Sequence, residues 1–103
     1  MRDTKISASA CDSIEEIRSQ IDRIDCQIVA LIAERGAYVS RAAYFKKDDA
    51  AVRAPGRVED VIRKVRALAE EAGANPALVE SVYRAMIAAC IDIESAEHAK
   101  LTS

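Results

Sequence analysis

Arg35, Lys46, Glu94 and Arg18 are charged side chains whose spacing sets them on or beside apolar helical faces, where they can do chemistry. Arg35 follows Ile28 by seven residues and Leu31 by four, so in a helix its guanidinium projects from the apolar seam rather than from the solvated face. A charge buried there demands an anionic partner. A seam-end arginine that snorkels to water or pairs with a glutamate is the plainer alternative. Lys46 lies eleven residues after Arg35. Three helical turns take about 10.8 residues, so a continuous helix points both the same way with Cα atoms about 16 Å apart. Two long cationic side chains can then converge on one small anion, whereas an ordinary surface lysine beyond a helix end needs no ligand. Glu94 has Ile91, Cys90, Ile87 and Tyr83 three, four, seven and eleven residues before it. An acid on that stripe needs either a proton or a cation beside it, and a purely structural pairing with Arg or Lys is the alternative. Arg18 stands beside the seam, about 25 Å along a straight helix from Arg35. A second copy running antiparallel brings the two arginines together.

These side chains require long helices to carry them. Ser13 and Glu16 have capping-box spacing, and Glu15 adds negative charge where the helix dipole favours it. From there Ile17, Ile21, Ile24, Ile28 and Leu31 alternate steps of four and three, the spacing of a coiled-coil seam. The pattern predicts one helix from about Ser13 to Phe45, a rod of roughly 50 Å, since Gly36 alone costs only about 1 kcal/mol. Such a rod is too long for a compact monomer of this size. Lys47 to Pro55 breaks the pattern. Pro55 then suits the first turn of a second helix that carries Val58, Val61, Ile62, Val65 and Leu68 on one face and ends at Gly73. Asn75 and Pro76 open a third, to about Ala99, with a stripe of Val79, Val82, Tyr83, Met86, Ile87, Cys90 and Ile91. The fold class expected is all-α. Residues 1–12 read as a flexible leader, 13–100 as one helical domain and 101–103 as a tail.

The totals agree with that class. Of the 103 residues, half are apolar and 31% charged, with three Gly and two Pro, a helix-rich globular balance rather than a disordered one. A net charge of −2 argues against nucleic acid as a partner, because phosphate binding needs clustered surplus cations. Cys11, Cys26 and Cys90 form no CxxC pair, so neither a disulfide framework nor a zinc site is indicated. No signal peptide or membrane-spanning run is apparent, which leads to the expectation of a cytoplasmic protein. Tyr38 and Tyr44 are expected to pack, and His98 to lie near a fraying C-terminus with no metal role.

Ile17 to Asp25 (IRSQIDRID), Val29 to Val39 (VALIAERGAYV), Phe45 to Lys47 (FKK) and Ala54 to Ile62 (APGRVEDVI) resemble the helical class of chorismate mutases. Within it they look closest to the isochorismate pyruvate lyase branch. The resemblance covers roughly residues 14–98. It implies a homodimer in which three helices from each chain interlock around two equivalent sites. On this likeness Arg35 holds a substrate carboxylate, and Arg18 reaches in from the other chain to hold a carboxylate too. Lys46 bonds the ether oxygen and a carboxylate from a loop that orders over the substrate. Arg57 matches an arginine near the ligand, and Glu94 a Gln or Glu that bonds the ether oxygen from helix three. Val39 and Cys90 count as pocket residues.

The implied substrate is a small dicarboxylate, chorismate or isochorismate. Chorismate rearranges to prephenate in a pericyclic step that needs no nucleophile, metal or cofactor. Negative charge grows on the ether oxygen as its bond stretches, and a fixed ammonium there acts more strongly on the transition state than on the ground state. Isochorismate instead passes a ring hydrogen to the enolpyruvyl group and yields salicylate and pyruvate. Typical mutases have acidic residues near the ring hydroxyl where this sequence has Ala54 and Val58, as in the lyase branch. Glu94 stands where many members of both branches have Gln, and Arg53 where the lyase loop typically has proline. A carboxylate facing an ether oxygen repels the developing charge, so Glu94 helps only as a protonated donor. The leading expectation is chorismate mutase, with isochorismate pyruvate lyase and a non-catalytic helical dimerisation or binding module as alternatives.

Overall fold

The computed structural model describes residues 5–102, with side chains to residue 100. Residues 1–4 of the expected leader and residue 103 of the expected tail lie outside the described residues. The architecture is all-helical, with three long helices, and no strand occurs among the described residues. The chain falls into two units, one ending at Ala37 and the other beginning at Tyr38.

The first unit is dominated by α1 (Ile14–Ala42), whose residues up to 37 belong to it. Its start follows the capping logic with one shift. Ser13 Oγ accepts from Glu16 N at 3.1 Å, while the Glu16 carboxylate accepts from the N–H of Asp12, at 2.7 Å, instead of Ser13. Ahead of it, Ala8–Ala10 form a 3-10 turn, and Ile6 N donates to Gln20 Oε1 at 3.1 Å. The apolar row keeps its period but stays largely exposed. Ile17 is 40% exposed, Ile24 42% and Leu31 62%, and no residue of α1 is buried.

The second unit supplies its own core. After α1 the chain tightens into a 3-10 turn at Ala43–Phe45, then forms α2 (Asp49–Arg53), α3 (Pro55–Ala72) and α4 (Pro76–Thr102). Two expectations are corrected here. The α-helical step stops at Ala42, so the count that aligned Arg35 with Lys46 does not carry across 43–45. The stretch read as a break contains α2, capped by Asp48, whose side chain accepts from Ala51 N at 2.9 Å. Between α2 and α3, Ala54 sits at φ 34° and ψ 65°, a left-handed conformation that costs an L-residue about 1–2 kcal/mol. α3 ends as Gly73 predicts, at φ 77°. Ala74 N donates to Ala69 O and Gly73 N to Glu70 O, the two bonds of a Schellman motif. Asn75 Oδ1 then accepts from Ala77 and Leu78, and Pro76 occupies the first turn.

Of the expected stripes, Ile62, Val65 and Ile87 are buried, whereas Leu68 is 52% and Val82 55% exposed. Ala69, a small residue outside the expected stripe, is buried on α3, which packs against α4. Tyr38 and Tyr44, expected to pack, are exposed. Tyr44 lies under the Arg41 guanidinium, 4.8 Å from its ring centre. No described helix is long and apolar enough to cross a membrane.

Candidate functional site

Lys46 ends the 3-10 turn in an extended conformation, φ −99° and ψ 137°, and its N–H donates to Ala43 O at 3.3 Å. Ala43 is 1% exposed, so the turn is anchored in the core. This places the Lys46 ammonium against α4, where Nζ donates to Glu94 Oε2 at 2.6 Å. The carboxylate is buried, with its side chain 4% exposed against 27% for the lysine. A buried carboxylate without a partner is costly by several kcal/mol. Here the ammonium that offsets its charge still reaches solvent, and keeps N–H groups for a ligand.

Two further ties hold the same segment to α4. His98 Nε2 lies 2.6 Å from Lys46 O, and the Ser95 hydroxyl donates to Asp49 Oδ1. Asp49 also accepts from Arg53 Nε at 2.7 Å. The Ser95 hydroxyl first, and then Arg53, hold the Asp49 carboxyl below its ordinary range. The sequence reading set His98 near a fraying end, whereas it is 8% exposed, and Glu94 and His98 stand four apart and so share one face of α4. Counting forward from Glu94 as well as back would have found it.

The other expected site residues are distributed as follows. Ala54, Arg57 and Val58 mark the α2–α3 corner and the first turn of α3, with Arg57 exposed and the other two half-buried. Cys90 is half-buried one turn before Glu94, and Val39 is half-buried near the end of α1. Arg18, exposed, and Arg35, half-buried, are carried by the first unit. The structure thus brings Lys46 and Glu94 into direct contact. A cleft of about 380 Å³ lined by Ser40, Arg41, Ala43, Tyr44, Glu97 and Lys100 includes neither of them. Among the described residues no group of three His, Cys, Asp or Glu could hold a metal ion.

Comparison with known proteins adds an independent line. Isochorismate pyruvate lyase of Pseudomonas aeruginosa is 38% identical over 77 residues, which are 75% of this chain and 76% of that protein. The bifunctional chorismate mutase/prephenate dehydratase of Aquifex aeolicus is 34% identical over 88 residues, 81% of this chain but 24% of that protein. The family described as chorismate mutase type II matches residues 17–95. That span takes in part or all of each long helix, the arginines at 18, 35 and 57, and the Lys46–Glu94 pair, so the chain belongs to the chorismate mutase type II family.

Proposed function

We propose that the chain is a chorismate mutase, rearranging chorismate to prephenate by stabilising the charge that grows on the breaking ether oxygen. The observation that carries this reading is the Lys46 ammonium, 2.6 Å from a buried Glu94 carboxylate. A fixed, partly desolvated cation acts on developing charge without reorganising. Glu94 Oε2 accepts from Lys46, which leaves Oε1 to carry a proton toward the ether oxygen when the acid is neutral. Arg35, and Arg18 from a second copy, take the substrate carboxylates, while Arg57 lies near the ligand and Val39, Ala54, Val58 and Cys90 line the pocket. Nothing in this chemistry calls for a cofactor. Partnership with a second copy is part of the proposal, and the exposed isoleucine row of α1 supports it. The three cysteines are free, which fits a reducing cytoplasm.

A second reading, isochorismate pyruvate lyase, is favoured by Ala54 and Val58, which offer no charge to a ring hydroxyl, and by the similarity to the Pseudomonas aeruginosa enzyme. Incubating the purified protein with each compound and identifying prephenate or salicylate separates the two. Lys46→Ala is expected to lower turnover about a hundredfold to a thousandfold. Turnover of neither compound leaves a binding module instead, and full activity in Lys46→Ala takes the lysine out of the mechanism.

A further inference from the structure

We propose that His98 is a positioning residue for Lys46, fixing the backbone of the segment that presents the ammonium and so setting where that ammonium stands. This rests on the reading that Lys46 acts on the substrate. A carbonyl oxygen only accepts, so the contact between His98 Nε2 and Lys46 O at 2.6 Å requires the proton on Nε2. Both the Nε2–H tautomer and the imidazolium satisfy this. His98 is 8% exposed, deep burial for a polar ring.

The surrounding contacts explain why one hydrogen bond matters. The Lys46 N–H is already committed to Ala43 O, so with His98 both polar groups of this residue's backbone are held. Three residues on, Asp49 is tied to Ser95. Residues 46–49 are therefore fastened to α4 at each end, and Val52 beyond them is 2% exposed. The carboxylate that receives the ammonium and the ring that receives the carbonyl stand one turn apart on a single helix. Their separation is thereby fixed at about 6 Å. Removing His98 frees the backbone of Lys46 while leaving Glu94 in place, and the ammonium then samples positions beyond its working point. Catalytic groups tolerate little such drift, since misplacement by about 1 Å can cost a hundredfold.

The decisive comparison is His98→Phe, which keeps the bulk and deletes the donor, against His98→Gln, whose amide N–H can replace it. His98→Phe is expected to lower kcat about five- to tenfold with little change in KM, the pattern for a loss felt only in the transition state. His98→Gln is expected to recover most of the rate. In a Lys46→Ala background His98→Phe should cost nothing further, because the two act through one group. Losses that multiply in the double variant, or a glutamine no better than phenylalanine, overturn the proposal. Amide hydrogen exchange reads the same device without activity. Faster exchange confined to residues 46–53 in His98→Phe and absent in His98→Gln supports it, and unchanged exchange overturns it. If the wild type turns over neither compound, the functional reading falls and the exchange result alone decides the tether.

Discussion

In the second unit the apolar faces of α3 and α4 close on each other, burying Ile62, Val65, Ala69 and Ile87, and the turn between them is capped on both sides, by Gly73 and by Asn75. In the first unit a better-formed apolar row, Ile17 to Leu31 on a coiled-coil spacing, stays 40% to 62% exposed. The two regions use the same residue types, and they differ in what covers them. A turn with Gly73 folds α3 and α4 back so that each supplies the other's cover, whereas α1 presents a seam with no facing helix in its own unit. An exposed isoleucine seam of that length suits an assembly surface, and a second copy of this chain is the partner proposed.

The largest effect should come from breaking the uncovered side. Ile24→Asp puts a charge into the seam and is expected to drop the sedimentation mass to near 11.2 kDa. Activity should fall below detection, because the proposed site then lacks Arg18 of the second copy. A wild-type mass near 11.2 kDa at working concentration removes the second copy from the proposal.

Next in size is the buried acid on the self-covered side. The donor that the proposed mechanism asks of this position is tested by Glu94→Gln, which is expected to keep or raise turnover, against Glu94→Ala, which removes the partner of the Lys46 ammonium and is expected to lower turnover about a hundredfold. Equal turnover in the two variants would take Glu94 out of the mechanism.

Core truncation sharpens the contrast between the regions. Ile62→Ala should cost about 2–5 kcal/mol in chemical denaturation, since Ile62 is 4% exposed. Ile28→Ala, at a residue 47% exposed, should weaken stability in a way that depends on protein concentration if the proposed second copy covers it. Concentration-independent loss at Ile28 breaks the distinction.

How far the sequence was legible follows the same division. Helix starts and stops were readable because each rests on local chemistry: Ser13 with Glu16, Asn75 before Pro76, and Gly73 in its left-handed cap. Glu94 was readable as an acid on an apolar face. The segment from 43 to 53 was read as a break although Asp48 caps α2 locally, because its placement also involves contacts with α4 that lie 46 and 52 residues away in the sequence. Leu68 was placed inside for its hydrophobicity, but Ala69 is the residue buried. The pairing of Lys46 with Glu94 joins residues 48 apart, and period counting along single helices does not reach that far.

The smallest expected effect lies on the solvent face of the α3–α4 hairpin. Arg84 bonds Glu59 through two nitrogens at 3.0 Å and Glu80 at 2.7 Å, and Arg66 also reaches Glu80. The Arg84 guanidinium is the main reason that Glu59 and Glu80 both titrate below their ordinary range. A carboxylate with a lowered value in the folded chain contributes stability above its unfolded value, and that contribution is lost as pH falls through the folded value. Thermal stability should thus decline on acidification below about pH 4.3, and Arg84→Gln should lose part of that decline. Exposed pairs are weak and screened by salt, so the difference between wild type and variant should shrink in 1 M salt. The core losses at Ile62 should not shrink with salt, and a common salt response would show that charge rather than apolar burial holds the hairpin.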